Sequence, residues 1–388
     1  MDREEFVLVR DMVRSVATRF GVTSADEVKP STRTAAQHAL DELGLADLRR
    51  TSPPAATAQE CALLAEEHGR HPLTTSLLGT VLLAPELLRL LGDDNPRSTS
   101  TIALTRELRF PGRTPTDLVA WDCEGADSAL CVTADGTVSR VELGRAAPST
   151  DLVRSVRAVP SDAPVEVVGR LATPDHLRWE AYALVVVTAE LVGAAGSFVE
   201  QAVQYARVRR QYGQAIGSFQ AVQHLLADAT VLVEACISVT RYAAWCLDNE
   251  PPERALAAAR VAKAEANSSA LEAVYAGMQV FGGIAQTWEH IAHVLRKAGI
   301  GLQEVGVFEV NEAFAPVPLA WLAETGADPA LLNPLGGAIA LGHPLGASGA
   351  VLMTRMIHHM RDHGIRYGLQ TMCEGGGTAN ATVVELAF

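Results

Sequence analysis

The chain has 388 residues, 48% apolar and 20% charged, with a formal net charge of −13. That length and composition describe a soluble globular protein of two or three domains with buried cores, and the acidic balance argues against a nucleic-acid or anionic-membrane surface. Six scattered cysteines show neither disulfide nor metal spacing, which suits a reducing, cytoplasmic setting without a metal site.

The first residues, Met1-Asp2-Arg3-Glu4-Glu5, are acidic and lack the apolar core of a signal peptide. Residues 1–95 read as a helical domain, with apolar residues at helical spacing over 35–48 (broken at Gly44), 61–68 and 79–91. Residues 96–173 read as a small β domain. Its clearest signal is the pair of apolar runs 129–133 and 137–141 around Ala134-Asp135-Gly136, a hairpin in which Asp-Gly is expected to supply positive φ angles. Residues 174–297 return to long helices, over about 174–208, 218–249 and 252–281. Ser218 is the expected N-cap of the second, and Asn249-Glu250-Pro251-Pro252 separates it from the third. The apolar stretch 181–199 contains Glu190, and its length fits a buried helix better than a membrane span. Residues 298–388 alternate as α/β, with strands over 305–310, 367–372 and 378–386 and helices over 312–324 and 350–363. A Gly-rich loop lies between, at 332–349.

Two sets of motifs carry chemistry. The first is Tyr205-Ala206-x-x-Arg209-x-Gln211-Tyr212-Gly213, then Ile216-Gly217-Ser218-Phe219-Gln220-x-x-Gln223, then Gln279-Val280-Phe281-Gly282-Gly283. A dinucleotide needs a cation for its pyrophosphate, amides for its polar ring and ribose atoms, and close backbone approach. Arg209 supplies the first, Gln211, Gln220 and Gln279 the second, and Gly282 and Gly283 the third. Taken singly, each of these residues reads as an ordinary surface group. As a set in this order they resemble the acyl-CoA dehydrogenase family, over residues 1 to about 297. The resemblance implies a helical domain, a small β domain and a helical bundle. It implies FAD held across a subunit interface, an acyl-CoA substrate, a homo- or hetero-oligomer of dehydrogenase-type subunits, and an electron-transfer flavoprotein as acceptor. The chain departs from the family at Ala285 and Gln286. The α-carbon base, a glutamate of the C-terminal tail in many members, has no counterpart: Glu304 and Glu309 stand near its position in a changed context.

The second set is Asn311-Glu312-Ala313-Phe314-Ala315, then Gly336-Gly337-Ala338-Ile339-Ala340-Leu341-Gly342-His343-Pro344, then Cys373-Glu374-Gly375-Gly376-Gly377. These blocks resemble the C-terminal part of the thiolase family, over residues of about 296 to 388. The resemblance implies that His343 activates a nucleophilic thiol and stabilises a thioester oxyanion, that Asn311 holds a water in an oxyanion hole, that Cys373 moves a proton, and that the Gly375 backbone N–H serves a second oxyanion. Taken alone, His343 and Cys373 would more often be a buried polar residue and an apolar filler. The nucleophile-bearing half of a thiolase has no counterpart, and Cys61, Cys123, Cys131, Cys236 and Cys246 read as structural thiols.

The expected architecture is therefore a multi-domain α+β protein, dehydrogenase-like, followed by a partial thiolase-like α/β segment of about three strands. Such a fragment is expected to expose a sheet edge and an apolar face. The stretch Leu295-Arg296-Lys297-Ala298-Gly299 suits both families and reads as the point where two genes were joined. The leading function is an FAD-binding, acyl-CoA dehydrogenase-like protein, catalytic or the partner of a catalytic subunit. The alternatives are a thiolase-like acyltransferase component that needs a partner chain, and an inactive fusion product.

Overall fold

The computed structural model describes the chain apart from residues 1–2, 23–26, 94–98, 107–108, 110, 113–117, 148–150, 212, 282–293, 296, 345, 374–378 and 388. The side chains of residues 3–6, 9, 324, 373, 379 and 380 also lie outside the description. The chain divides into two compact units, Met1–Gln201 with His224–Val274, and Ala202–Gln223 with Tyr275–Phe388.

The first unit begins with three helices, α1 (Arg3–Phe20), α2 (Pro30–Asp41) and α3 (Ala58–Gly69). Each boundary has a local cause. Pro30 opens α2, where its fixed φ suits the first turn. Thr57 and Glu60 close a reciprocal capping box at the start of α3. A π-helical turn, Leu77–Leu83, then runs into α4 (Ala84–Leu91), which Gly92 ends in the left-handed region. The helix expected over 35–48 stops at Asp41, and Leu45–Leu48 is a 3-10 turn after Gly44.

Six strands follow: β1 (Ser100–Thr105), β2 (Leu118–Trp121), β3 (Ser128–Val132), β4 (Thr137–Glu142), β5 (Val156–Ala158) and β6 (Val165–Arg170). They form one sheet in the order β5-β2-β1-β3-β4-β6, in which β1 and β3 are parallel and the other pairs antiparallel. The expected hairpin is β3–β4, with Leu130 opposite Arg140. Its turn differs from expectation, because only Gly136 has a positive φ (84°). The loop is a three-residue one whose last residue is left-handed, and Asp135 stays right-handed while its carboxylate accepts from Thr133 and Thr137.

Three long helices come next, α5 (Thr173–Val208), α6 (Gln220–Asn249) and α7 (Pro252–Phe281). Ser218 does not cap α6. It lies in a 3-10 turn and donates to the Ala215 carbonyl, while the first helical bond runs from Gln223 N–H to the Phe219 carbonyl. Both α5 and α6 are long and apolar enough to cross a membrane, but 67% of the most apolar window of α5 is buried inside the protein, as in a core helix. Trp179, Tyr182, Leu64, Leu77, Leu78 and Leu82 are among the fully buried side chains of that core.

A buried charge network ties strands to helices in this unit. Arg154 donates to Asp122 (2.8 Å) and to Glu190, and His68 bridges Glu190 (2.7 Å) and Thr75 (2.8 Å). Asp122 also accepts from the Gly79 N–H (2.8 Å). Burial pushes the Glu190 carboxyl up, but Arg154 and His68 outweigh it and hold it at about 2.

The second unit contains a two-stranded hairpin, β7 (Arg210–Gln211) with β8 (Gln214–Ala215), and a three-stranded sheet. The sheet is β9 (Val305–Val310), β10 (Tyr367–Cys373) and β11 (Ala379–Glu385), in the order β11-β10-β9, with β9 and β10 parallel. Helix α8 (Pro316–Thr325) contributes Trp321 to the cluster on one face, with Phe308, Val310 and Leu369. Helix α9 (Ser348–His363) contributes Met356 and Met360 to the other, against Val307. Both faces are therefore packed. The β9 edge is also closed in part, because Leu332 bridges Phe308 and Asn333 bonds to Val310. The expectation of a bare apolar face thus fails on the sheet itself, and a single β-bridge from the start of the Gly-rich segment covers part of the β9 edge; among the described residues β11 pairs only with β10, so that edge stays open as expected. Apolar exposure lies instead on the periphery, at Phe314, Leu319 and Ile339.

Candidate functional site

The thiolase-type residues gather at the C-terminal ends of the two parallel strands, where α/β sheets form their binding crevices. Asn311 follows β9, is 1% exposed, and its N–H donates to Thr371 on β10 (2.9 Å). Two residues later β10 ends at Cys373, opposite Ala379. The Cys373 side chain and the whole of Gly375 lie outside the described residues.

The loop that carries His343 is latched to the same strand end by two residues to which the motif reading gave no role, Asn333 and Glu312. Asn333 sits at φ 45°, a left-handed conformation that Asn tolerates better than most residues. Its side chain accepts from Val310 N–H (2.8 Å) and donates to Val310 C=O (3.0 Å) and to Glu312 (2.7 Å). Glu312 accepts in turn from Ile339 N–H (2.9 Å). Gly337 is required at the contact, since a Cβ there would fall 2.6 Å from the Glu312 carboxyl carbon. His343 itself is half-buried, with Nδ1 2.7 Å from the Ser348 hydroxyl. With the Ser348 proton on Pro344 C=O (3.1 Å), Nδ1–H would donate to Ser348 and Nε2 would be the basic nitrogen. Among the described residues the arrangement presents a base and a buried amide but no nucleophile. Cys61, Cys123, Cys131, Cys236 and Cys246 are all buried free thiols. Burial pushes Cys61 up to about 11 and Cys131 to about 12, so neither is a ready thiolate.

The flavin-type residues gather at another place in the same unit. The Tyr205 and Phe281 rings meet at 4.9 Å, which joins the C-terminal ends of α5 and α7. Arg209 lies one turn beyond Tyr205 and Gln279 two residues before Phe281. The turn Ile216–Ser218 packs on the end of α5, where a Cβ on Gly217 would lie 2.9 Å from Ala206 C=O. Arg209, Gln211, Gln220 and Gln279 are all exposed. One cation and three amides at one end of the bundle, turned to solvent, fit a dinucleotide's pyrophosphate and polar edges. Gly282 and Gly283 lie outside the described residues.

The first unit holds a cavity of about 510 Å³ between α5, α7 and strands β1 and β2. Its walls are mostly apolar, with the Trp121 and Trp179 indoles among them, and its polar groups are Arg109, Glu180, Lys263 and Asn267. Lys263 is partly desolvated, which lowers its pKa, and its ammonium donates to Asn267 Oδ1. No sequence motif marked Glu180 or Lys263. The only signal is spacing: residues 180, 183, 184 and 187 share one stripe of α5, and 263 and 267 one stripe of α7.

Comparison with known proteins finds two families along the chain. Residues 182–302 match the family model of the acyl-CoA dehydrogenase C-terminal domain, and residues 268–386 that of the thiolase C-terminal domain. The C-terminal part is 60% identical over 93 residues to the steroid 3-ketoacyl-CoA thiolase FadA6 of Mycobacterium tuberculosis, covering 24% of this chain and 23% of that protein. It is 47% identical over 98 residues to a 3-ketoacyl-CoA thiolase of Bacillus subtilis, covering 25% of each. The chain thus spans about a quarter of the length of the curated relatives it matches. The fold resembles a Tcur3481-Tcur3483 steroid ACAD variant (TM-score 0.58, 21% identity, 72% of this chain and 88% of that one). It also resembles the ChsE4-ChsE5 complex of Mycobacterium tuberculosis (0.55, 20%, 74% and 89%). Butyryl-CoA dehydrogenase of Megasphaera elsdenii is a third (0.53, 16%, 71% and 88%). The protein is multi-domain, with an acyl-CoA dehydrogenase-like fold joined to a thiolase-type α/β segment.

Proposed function

We propose that the protein binds FAD and acts on acyl-CoA thioesters as an acyl-CoA dehydrogenase-type subunit. The observation that carries this reading is the solvent-facing donor set at the joined ends of α5 and α7, within a segment that matches the dehydrogenase C-terminal domain. Arg209 would hold the pyrophosphate, and Gln211, Gln220 and Gln279 would orient the polar edges of the cofactor. When bound, FAD supplies a hydride acceptor for the β-carbon of the acyl group. The cavity beside Trp121 and Trp179 would take the acyl portion and exclude water from it. The substrate class is a bulky, steroid-type acyl thioester: a steroid-named relative matches the C-terminal part and a steroid-named structure resembles the fold. The assembly is an oligomer of dehydrogenase-type subunits in the cytoplasm, passing electrons to an electron-transfer flavoprotein.

The C-terminal segment is the remainder of a thiolase joined by deletion. The two family matches overlap over residues 268–302, where one stretch serves both patterns. A second reading is that the segment completes an acyl-transfer site with a cysteine from another chain; the backbone bond of Asn311 to β10 and the contact of His343 with Ser348 support it.

The test is the visible spectrum of the purified protein under anaerobic conditions, before and after addition of an acyl-CoA. A flavin band that bleaches establishes dehydrogenation. A band that does not bleach identifies a non-catalytic subunit. If no band forms after reconstitution with FAD, the flavin reading fails and the acyl-transfer and inactive-fusion readings remain. Acyl transfer by the purified chain without a partner would defeat the deletion account.

A further inference from the structure

The dehydrogenation proposed above needs a carboxylate to remove the α-proton, and the usual tail position offers none. The cavity of the first unit does. Of its lining residues, Glu180 is the one carboxylate. It faces the cavity from the same stripe of α5 as Leu184 and Val187. Helix α7 lines the same cavity with Lys263 and Asn267, one turn apart, and Arg260 lies one turn before them. Arg260 donates to Glu180 Oε1 at 2.7 Å. Its side chain is 62% exposed and that of Glu180 21%, so the guanidinium holds the carboxylate from the solvent side. An acid and a cation therefore share one mostly apolar chamber, and both lie on long core helices that fix their spacing.

We propose that Glu180 is the base that takes the α-proton of an acyl thioester seated in this cavity, and that the Lys263 ammonium receives the thioester oxygen. The proposal rests on the acyl-CoA reading and names the residues that act in it. The Cα–H bond breaks and the proton passes to the Glu180 carboxylate. The electron pair moves into the enolate, whose oxygen charge is met by Lys263. Return of the proton restores the thioester, so the step alone exchanges the α-hydrogen with solvent and needs no oxidant. With a flavin-class hydride acceptor the same proton removal yields the α,β-double bond, as the β-hydrogen leaves with its electron pair. Lys263 suits the role because its partly desolvated ammonium acts on a developing oxyanion more strongly than one in water. The bland alternative is that Glu180 and Arg260 form only a surface ion pair.

The experiment uses the full chain in D2O with a 3-thia-acyl-CoA, whose α-protons are acidified by the neighbouring sulfur. α-Deuterium is read by mass spectrometry and binding by quenching of tryptophan fluorescence. The expected result is exchange by the unaltered protein and a loss of about 100-fold or more in E180Q with binding kept. R260Q removes the same ion pair but keeps the carboxylate, and should lose about 10-fold at most. Equal losses in E180Q and R260Q would mean that the pair is only structural and would overturn the proposal. So would full exchange by E180Q, or binding without exchange by the unaltered chain. If the thioester does not bind at all, the acyl-CoA reading itself has failed and this assignment falls with it.

Discussion

Glu190 in the helical unit and Glu309 in the C-terminal sheet are both buried, yet burial leaves them in opposite states. Burial alone would raise either carboxyl. At Glu190, Arg154 and His68 reverse the effect and hold it at about 2. At Glu309, Arg355 reverses it only in part and Glu312 adds to it, so the carboxyl is pushed up to about 7. The guanidinium that could pair with Glu309 instead donates to Leu335 C=O. The lesson concerns completeness. In the first unit Glu190 has a guanidinium and an imidazole within hydrogen-bond reach. The C-terminal segment corresponds to about a quarter of its relatives and keeps a buried acid without a full set of partners. This is the pattern expected if that segment was cut from a larger domain and the dehydrogenase-like part was kept nearly whole.

The largest test of the contrast is Arg154→Met. It leaves Asp122 and Glu190 buried without their cation, and should cost about 3–5 kcal/mol of unfolding free energy by chemical denaturation. A loss below 1 kcal/mol would show that the network is not closed. The pH dependence has a definite sign. Because the folded Glu190 titrates below its usual 4.5, its contribution is present above that pH and is lost as pH falls toward 2. Glu309 behaves inversely, since its contribution is full below 4.5 and is lost as pH rises through about 7. Glu309→Gln, which cannot ionise, should therefore stabilise the protein by on the order of 2 kcal/mol at pH 8 and leave it unchanged at pH 4. A stabilisation equal at both pH values would exclude titration as its cause.

How much of this was legible in the sequence follows from how far apart the partners lie. The β3–β4 hairpin, the strand Val305–Val310 and the long helices were readable because their signals are local in period and turn. The turn type was misread because Asp-Gly also fits a loop in which only Gly136 is left-handed. Ser218 was misplaced as a cap because its hydroxyl turns back to Ala215 instead of forward into α6. Glu190 was visible only as a charge within an apolar run; its partners His68 and Arg154 are 122 and 36 residues away. The motif blocks marked Asn311 and His343 and contained Glu312, but gave no sign of the latch, because Glu312 and Asn333 meet only once the strand and loop are folded. The cavity acid Glu180 carried no motif at all.

That latch gives the next test. Asn333→Ala deletes three side-chain hydrogen bonds at the end of β9 and places a residue less tolerant of φ 45° there. About 2 kcal/mol should be lost. Hydrogen exchange should rise at Val310 and Ile339, whose N–H groups lose Asn333 directly or through Glu312. Exchange unchanged at Ile339 would mean that Glu312 holds the loop without help.

The smallest expected effect bears most directly on whether the acyl-transfer geometry survives. If the Ser348 proton goes to Pro344 C=O, Ser348 accepts from His343 Nδ1–H and the ring is the tautomer with Nε2 basic. Ser348→Ala removes both contacts, and one neutral hydrogen bond on a half-buried ring is worth about 1 kcal/mol at most. The informative readout is the ring itself. Imidazole 15N spectra should show a single Nδ1–H tautomer in the unaltered protein and a mixture in the variant. A mixture already present before substitution would mean that the histidine is no longer held for chemistry. The C-terminal segment would then differ from the first unit in having lost both its partners and the order of its site.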